Sequence, residues 1–319
     1  MRAARITELG RPPEPGEVDA PEPTEGKALV EISAVALNPI DLAIGAGGFY
    51  GGHPDLPYVP GSEAVARVVD APSFGGGTRV YVNGDGLGLA RDGTLTERVA
   101  VSEEGLYPVP EGLDDAVAVA AGIAGIAGWL PVAWRSPVQE GDRVLVLAAT
   151  GTVGSVAVQG ARLLGAARVV GAGRDEEKLE RTRELGADAT VRLDEANLAD
   201  AVTEAFDGEG PTLIVDPVWG EPLAAVLAAA AAGARVVHLG QSAGPEAPLR
   251  SADVRGKQLD ILGYSNFGLP ADVKRAGYIE LLDHVAAGRI VIDLETFPLD
   301  RVADAWSHQA QGRKAVVIL

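Results

Sequence analysis

The segment that most constrains how this chain can fold is a short apolar run that leads directly into a glycine-containing turn. Residues 143–149 (RVLVLAA) form a continuous apolar run, as expected for a strand buried on both faces of a sheet. The turn follows at once, and residues 153–164 are then predicted to form a helix. A strand, a turn and a helix in direct succession are typical of folds in which helices cover a parallel sheet.

The same alternation continues through the second half of the chain. Strand-like runs lie at 168–172, 190–193, 212–215, 234–239 and 259–263. Helix-like segments lie at 175–185, 195–206, 222–231 and 271–286. Six strands with helices between them predict an α/β fold with a parallel, doubly wound sheet.

The turn after the first of these strands fits the dinucleotide fingerprint G-x-G-x-x-G, with an alanine in the first slot. The second glycine lets the backbone approach a pyrophosphate, the third lets the helix pack closely on the strand, and the helix N-terminus binds the anion. Cofactor contacts are therefore predicted from Ala149, Thr150, Gly151, Thr152, Val153 and Gly154. Alternatively, the glycines serve only a tight turn in another kind of α/β protein.

The end of the second strand, about 20 residues further on, indicates which dinucleotide binds. An NAD site needs an acid there for the ribose hydroxyls. If the strand ends at residue 172, the decisive position is Gly173, and the cations Arg174 and Lys178 follow. Cations without an acid suit a 2′-phosphate, so NADPH is predicted rather than NADH. In the alternative, Asp175 binds the ribose and Arg174 is merely solvated.

The first part of the chain is rich in short strands. Residues 27–37 (KALVEISAVAL) alternate apolar and polar side chains with the period of a strand. Further strands are predicted at 64–69, 78–82 and 94–100. An early loop is marked by Pro12, Pro13, Pro15, Pro21 and Pro23. The tail from residue 290, with a helix at 299–309 and a strand at 315–319, is too short for a domain and is predicted to return to the first one.

Composition argues against several classes of protein. The chain has 319 residues, a formal net charge of −18 and no Cys. The acidic balance argues against a nucleic-acid partner, and the lack of Cys excludes disulfides and thiol nucleophiles. Residues 116–134 carry no charge, but their Ala and Gly content and Pro131 favour a buried helix over a membrane span. Because residues 1–10 contain no apolar leader, a cytoplasmic protein without a membrane partner is expected.

Three stretches carry a resemblance to a known family: Asn38-Pro39-Ile40-Asp41, Pro60-Gly61-Ser62-Glu63 and the turn and helix AATGTVGSVAVQGARLLGA. The chain resembles the medium-chain dehydrogenase/reductase superfamily over essentially its whole length, and within it the zinc-independent quinone oxidoreductase branch. The resemblance implies a Rossmann doubly wound parallel sheet at 116–287. It also implies a β-rich GroES-like catalytic domain made of 1–115 and 288–319.

The resemblance also bears on the metal. Zinc-dependent members carry Cys where this chain has Asn38 and His where it has Ser62. The third ligand would fall in 122–128 and a structural zinc loop near 84–92, and neither stretch contains Cys. Asn, Ser and Gly do not make a tight zinc site, so no zinc is predicted. Without that Lewis acid, hydride addition to a quinone, an enone or an enal is easier than oxidation of an alcohol.

Three catalytic candidates follow from the resemblance. Asn38 takes the former zinc position and could hydrogen-bond the substrate or the nicotinamide. Asp41 occupies a position that is usually polar in the family, or it caps a loop. Tyr50 aligns with a Tyr of related quinone reductases and could donate a proton to a developing oxyanion, or it packs in its loop. Phe49 and Tyr58 are the competing aromatic side chains.

Further cofactor contacts are expected where the later strands end, because ligands bind at the carboxyl ends of parallel strands. The residues predicted to face the nicotinamide half are Leu239, Gly240, Gln241, Tyr264, Ser265 and Asn266. Asp216 and Glu63 are interpreted as structural acids.

These features predict an NADPH-dependent, zinc-independent oxidoreductase that transfers hydride to a small-molecule quinone or α,β-unsaturated carbonyl. One alternative is a biosynthetic enoyl or ketone reductase acting on a specialised metabolite. Another is a cofactor-binding structural protein with little turnover. Relatives commonly pair their Rossmann sheets edge to edge, and residues 258–263 would form that edge, so a homodimer is expected.

Overall fold

The computed structural model describes residues 1–22 and 26–319 and divides the chain into two compact units. Met1–Ile123 and Asp293–Leu319 form the first unit, and Ala124–Ile292 forms the second. The sequence predicts the domain boundaries after residues 115 and 287, whereas the junctions lie after residues 123 and 292. The first junction lies later because the helix at Asp115–Ala120 packs on strands of the first unit. Pro23, one of the predicted loop prolines, lies outside the described residues.

The described residues form the following strands: β1 (Arg2–Arg5), β2 (Glu14–Glu17), β3 (Lys27–Ala36), β4 (Glu63–Asp70), β5 (Arg79–Asn83), β6 (Arg98–Ser102), β7 (Leu106–Pro108), β8 (Arg143–Val146), β9 (Arg168–Gly173), β10 (Ala189–Arg192), β11 (Leu213–Asp216), β12 (Arg235–His238), β13 (Asp260–Gly263), β14 (Glu295–Pro298) and β15 (Ala315–Ile318). The helices are α1 (Pro39–Gly45), α2 (Asp115–Ala120), α3 (Ile126–Leu130), α4 (Thr152–Leu163), α5 (Glu176–Glu184), α6 (Leu198–Ala205), α7 (Gly220–Leu227), α8 (Ser251–Gly256), α9 (Ala271–Ala286) and α10 (Val302–Ala310).

The first unit is built on a sheet in the order β14-β15-β3-β4-β5-β7, with β6 paired to β3. Apolar side chains from β3, β4 and β5 fill its core, together with residues from α10 and β15. The tail returns to this unit, since β15 pairs antiparallel with β3.

The early proline-rich segment is not all loop. The strand β2, with the sequence EPGE, pairs antiparallel with β1 and places Pro15 opposite Ala4. Proline is tolerated on an edge strand, where its missing N–H faces away from the partner. The prediction of a loop is wrong at these residues, because EPGE has no apolar alternation to reveal a strand.

The second unit contains a six-stranded sheet in the order β10-β9-β8-β11-β12-β13, and every pair in it is parallel. The central strands are buried on both faces, which explains their continuous apolar sequences. The α/β fold with a parallel, doubly wound sheet is thus confirmed. Chain order reverses between β8 and β11, and in such sheets ligands bind at the carboxyl ends beside this reversal.

The uncharged stretch of residues 116–134 lies in one helical segment, kinked at Gly122, that runs from Asp115 to Arg135. By length and composition alone this segment could cross a membrane, but 83% of its most apolar 18-residue stretch is buried inside the protein. Gly128 explains the close packing on α4, since a Cβ there would lie 2.8 Å from the Cβ of Val156. The segment has the burial of a core helix, as predicted.

Candidate functional site

The glycine turn joins β8 to α4 as the fingerprint predicts. Ala148 takes a left-handed conformation with φ 48°, and the N–H of Gly151 donates to its carbonyl oxygen at 3.1 Å. Ala149 fills the first slot, where its N–H donates to the Ala172 carbonyl of β9 at 2.9 Å. The left-handed residue of the turn, Ala148, therefore lies one position before the first slot of the fingerprint. The first slot itself can then be occupied by an alanine, Ala149. The helix starts at Thr152, with Gly151 as its N-cap.

The two glycines of this turn meet different constraints. A Cβ on Gly154 would lie 2.3 Å from the Ala148 carbonyl oxygen and 2.6 Å from the Ala149 Cα, so only glycine fits. A Cβ on Gly151 would meet a single atom, the Ala148 carbonyl oxygen, at an ordinary 3.7 Å. The fold thus requires Gly154, whereas the space in front of Gly151 is open. An N-cap glycine also has no side chain to cover the first-turn N–H groups, which suits an anion at this helix end.

The second strand of the sheet ends at Gly173, one residue beyond the predicted end. A Cβ there would lie 2.6 Å from the Thr150 Cγ2, so a larger side chain is excluded at this position. The alternative ribose ligand, Asp175, is the N-cap of α5, and its Oδ1 accepts the Lys178 N–H at 3.2 Å. Its carboxylate is therefore already engaged in stabilising the helix start.

Cations surround the end of this strand. Arg174 is exposed and Lys178 is half-buried. Arg192, which sequence reasoning missed, is the last residue of β10 and lies opposite Gly173 in the parallel register. Its guanidinium donates to both carboxylate oxygens of Asp194, at 3.0 and 2.7 Å. The signal that could have found it is its position at the carboxyl end of a strand beside β9.

The loops after β11 and β12 are tied together. The N–H of Ser242 donates to the Pro217 carbonyl at 3.3 Å, and the N–H of Ala243 donates to the Val218 carbonyl at 2.9 Å. A Cβ on Gly240 would lie 2.7 Å from the Pro217 carbonyl oxygen, so this position requires glycine. The predicted contacts Leu239, Gly240 and Gln241 therefore lie in a loop of fixed shape at the carboxyl edge of the sheet.

The loop after β13 carries the last predicted cofactor residues. Tyr264 is buried, and its hydroxyl donates to the Asn266 Oδ1 at 2.6 Å. Burial raises the pKa of Tyr264 above its usual range. The Ser265 hydroxyl accepts the N–H of Phe267 at 3.3 Å. These contacts order the loop, and the Tyr264 ring is buried inside the second unit.

In the first unit, Asn38, Asp41, Ser62, Glu63 and Lys314 form a buried polar cluster. The Asn38 amide donates to the Glu63 Oε1 at 2.7 Å, and its Oδ1 accepts from the Lys314 Nζ at 2.9 Å. Asp41 accepts from the Asn38 N–H at 2.8 Å and from the Ser62 hydroxyl at 2.6 Å. Asn38 and Asp41 thus form a capping box at the start of α1. The structure brings these two candidates together, with their polar atoms already partnered.

Further contacts surround the Glu63 carboxylate, whose Oε2 accepts from the Tyr81 hydroxyl at 2.7 Å and from the Ile123 N–H at 2.6 Å. The Lys314 Nζ lies 3.8 Å from the Glu63 Oε1. Burial holds the pKa of Lys314 below its usual value, although the charges of Glu63 and Asp41 oppose this shift. Sequence reasoning missed Lys314, because nothing in the stretch GRKAVV marks a buried cation.

The buried polar cluster also tests whether the residues present fit the zinc of the zinc-dependent members of the family. The two positions matched to zinc ligands, Asn38 and Ser62, offer an amide and a hydroxyl, and both are hydrogen-bonded to other residues. An ammonium group, Lys314 Nζ, contacts the amide directly. Soft or imidazole ligands are absent from this cluster, and a buried cation opposes a second one, so these residues do not fit zinc.

The three aromatic candidates of the loop after α1 are separated by their burial. Tyr50 is 91% exposed, and its ring packs at 4.4 Å from that of Phe49. Tyr58 lies in the core of the first unit, and its hydroxyl has no hydrogen-bond partner among the described residues. Burial raises the pKa of Tyr58 to about 12. Of the two hydroxyls, only that of Tyr50 is open to a substrate in solution.

The Asp41→Asn variant is expected to gain stability relative to the wild type as the pH rises from about 4 to about 7. Burial raises the pKa of Asp41 to about 6 in the folded protein, against 3.8 for the free side chain. The favourable contribution of the protonated carboxyl is fully present below about pH 4 and is lost as the pH rises through about 6. A shift of about two units corresponds to roughly 3 kcal/mol. Urea unfolding of both proteins across this pH range measures the difference in stability. A difference that does not change with pH would contradict the prediction.

The described geometry defines a class: an α/β protein with a glycine turn for a dinucleotide on a parallel sheet, and a second, sheet-rich unit. Family models agree with both parts. The model of the alcohol dehydrogenase GroES-like domain matches residues 24–111, and the model of the zinc-binding dehydrogenase matches residues 152–284.

Two curated relatives extend the match along the chain. A quinone oxidoreductase-like protein 2 homolog of Nematostella vectensis is 31% identical, over 77% of this chain and 68% of its own length. A quinone oxidoreductase of Pongo abelii is 27% identical, over 99% of this chain and 95% of its own. The chain therefore belongs to the medium-chain dehydrogenase/reductase superfamily, in its quinone oxidoreductase branch, and is an oxidoreductase.

Solved structures show the same fold at full length. An NAD-dependent alcohol dehydrogenase matches with a TM-score of 0.89 at 28% identity, covering 100% of both chains. A 2-haloacrylate reductase matches with a TM-score of 0.86 at 26% identity, covering 100% of this chain and 99% of the other.

Proposed function

We propose that this protein is an NADPH-dependent, zinc-independent reductase of quinones or of α,β-unsaturated carbonyl compounds. The observation that carries the proposal is the open space in front of Gly151 at the start of α4, next to a strand end without an acid. Similarity to quinone oxidoreductases and to a 2-haloacrylate reductase supports an electron-poor acceptor. The donor set of the buried polar cluster supports a reaction without zinc.

The residues of the second unit would hold the cofactor, which supplies hydride when bound. The first-turn N–H groups of α4 bind the pyrophosphate, while Arg174 and Lys178 pair with the 2′-phosphate. Leu239, Gly240 and Gln241 face the nicotinamide half, as do the residues that follow β13.

The residues of the first unit act on the acceptor. The Tyr50 hydroxyl donates a proton to the oxygen on which negative charge develops. Asn38 and Asp41, which are buried, support α1 and with it the start of the loop that carries Tyr50. Their proposed role is therefore to position this loop, since neither side chain has a polar atom left to offer a substrate.

The double variant Arg174→Ala/Lys178→Ala is expected to lose NADPH affinity by about 10- to 100-fold and to leave NADH affinity nearly unchanged. A charge-assisted hydrogen bond contributes about 1.5–3 kcal/mol, and 1.4 kcal/mol is about tenfold in affinity. Fluorescence titration of both reduced cofactors measures the effect. Arg183→Ala, at the far end of α5, is the matched control. Equal losses for NADPH and NADH would contradict the 2′-phosphate assignment.

The Tyr50→Phe variant is expected to lower kcat by about 100-fold with unchanged cofactor affinity, because only the proton donor is removed. Oxidation of NADPH, followed by its absorbance, measures turnover with benzoquinone, an enal and a simple ketone as acceptors. Phe49→Leu is the control, since it changes the packing of the same loop without removing a hydroxyl. Full activity of Tyr50→Phe would remove Tyr50 from the mechanism. Cofactor binding by the wild type without turnover on any acceptor would contradict the proposed function.

Two predictions concern the oligomeric state and the cellular location of the protein. The strand β13 lies at the edge of the parallel sheet, as expected for an edge that pairs in a homodimer. We propose such a homodimer, in the cytoplasm, with a small molecule as the only partner besides the cofactor. Its mass in solution tests the dimer, and a monomer would contradict it.

A further inference from the structure

Two side chains that the proposed function does not use form a pair at the carboxyl edge of the parallel sheet. Asp216 is the last residue of β11 and His238 the last residue of β12, and they are register partners. The His238 Nδ1 lies 3.0 Å from the Asp216 Oδ2. Asp216 is fully buried, and its Oδ1 accepts the N–H groups of Val218 at 2.9 Å and of Trp219 at 2.8 Å.

These contacts determine which ring nitrogen of His238 donates to Asp216. A carboxylate only accepts hydrogen bonds, so the imidazole carries its proton on Nδ1 and donates it to Asp216. In the neutral imidazole, the Nε2 then presents a lone pair, which accepts a hydrogen bond. Burial raises the pKa of Asp216, while the N–H donors of Trp219, Val218 and His238 oppose that shift.

The surroundings hold the imidazole in place but leave it accessible. The Trp219 ring lies 4.1 Å from the His238 ring, at an interplanar angle of 36°. Trp219 is held in a left-handed conformation with φ 60°, which is rare for a bulky residue. The His238 side chain is 28% exposed, although its partner is fully buried. A strained residue thus supports a partly exposed, oriented imidazole, a combination that often marks a functional site.

The position of the pair connects it with the proposed cofactor contacts. His238 directly precedes Leu239, and the backbone of the Leu239–Ala243 loop is hydrogen-bonded to the loop that follows Asp216. Ligands of such sheets bind outside the carboxyl ends of the strands. Phosphate oxygens only accept hydrogen bonds, so a lone pair on Nε2 cannot bind the pyrophosphate. The nicotinamide nucleoside, in contrast, offers ribose hydroxyls and a carboxamide N–H as donors.

We propose that His238 is a cofactor-binding residue whose Nε2 accepts a hydrogen bond from the nicotinamide nucleoside, and that Asp216 is the positioning residue that sets its tautomer. This inference rests on the proposed use of a nicotinamide cofactor.

Three variants separate the contribution of the imidazole from the contribution of its orientation. In Asp216→Asn, the Oδ1 can still accept the N–H groups of Val218 and Trp219, while the new amide N–H faces the His238 Nδ1. The imidazole must then carry its proton on Nε2, which becomes a donor. In His238→Asn, the amide N–H can replace the contact to Asp216, but nothing reaches the position of Nε2. His238→Gln instead carries an amide oxygen towards that position.

The experiment measures NADPH binding by nicotinamide fluorescence and binding of 2′,5′-ADP, which contains only the adenosine half, by competition. Asp216→Asn and His238→Asn are each expected to weaken NADPH binding about tenfold, as one lost hydrogen bond of about 1.4 kcal/mol implies. Binding of 2′,5′-ADP should remain unchanged. His238→Gln should bind NADPH more tightly than His238→Asn.

Several outcomes would overturn the inference. Unchanged NADPH affinity in all three variants would remove His238 from the cofactor site. Equal weakening of NADPH and 2′,5′-ADP binding would assign the pair a merely structural role. Neither result would affect the proposed function, because the wild type would still bind NADPH. Wild-type protein that binds 2′,5′-ADP but not NADPH would contradict the proposed function itself, and the inference with it.

Discussion

The free energy of unfolding of the Lys314→Met variant is expected to be about 3–5 kcal/mol lower than that of the wild type. Removal of one partner from a buried ion pair leaves the other charge without compensation in a medium of low polarity. The Lys314 side chain is 1% exposed and Glu63 is fully buried. Its Nζ also donates to the Leu37 carbonyl oxygen at 3.0 Å, so the variant leaves several acceptors unsatisfied. Denaturant unfolding, with the midpoint and slope compared to wild type, measures the loss.

The chain offers a matched control for this change. Lys27 forms an ion pair of 3.0 Å with Asp85, but its side chain is 33% exposed. An exposed pair of this kind contributes about 0–1 kcal/mol, so Lys27→Met should be nearly neutral. Adding Glu63→Gln to Lys314→Met should recover part of the loss, because it removes the uncompensated carboxylate. If Lys314→Met were as mild as the control, the buried polar cluster would not stabilise the first unit.

Gly154→Ala is expected to destabilise the protein by about 3 kcal/mol or more, whereas Gly151→Ala should change stability by less than about 1 kcal/mol. The reason lies in the atoms each new methyl group would meet. At residue 154 the Cβ would overlap backbone atoms of Ala148 and Ala149, which cannot move without shifting α4 away from β8. At residue 151 it would make one ordinary contact, 3.7 Å from the Ala148 carbonyl oxygen. Thermal and denaturant unfolding of both variants measure this difference.

The same pair of variants should show the opposite order in cofactor binding. The methyl group of Gly151→Ala would occupy the space proposed for the pyrophosphate, so NADPH affinity should fall at least tenfold in a protein that folds normally. If Gly151→Ala bound NADPH as tightly as the wild type, the space in front of Gly151 would not be the pyrophosphate site. A stable Gly154→Ala would show that the strand and helix can move apart.

Some elements were predictable because they carry their own local pattern. The strands β8 and β11 are buried on both faces, and their sequences read as continuous apolar runs. The turn before α4 needs glycine at a fixed spacing, and the helix starts within one residue of its predicted position. In contrast, β2 exists only because β1 pairs with it, and its sequence alone predicts a loop.

The parts of the site that escaped prediction depend on partners far away in sequence. Lys314 contacts Asn38, which lies 276 residues earlier, and a basic residue near a chain terminus is usually exposed. His238 meets Asp216 because β11 and β12 are neighbours in register, 22 residues apart along the chain. The family resemblance makes Asn38 and Asp41 catalytic candidates, whereas the structure uses them to start a short helix. The sequence therefore indicates which residue types are present but not which polar atoms remain available.

The pairing of β15 with β3 also determines the order in which the two units can be completed during protein synthesis. The ribosome finishes the entire second unit before it makes β15, so the sheet of the first unit must wait with its β3 edge open. The second unit, which is one continuous stretch of chain, can fold as soon as it leaves the exit tunnel. A nascent chain stalled before residue 315 should therefore contain a protease-resistant second unit beside a protease-sensitive first one.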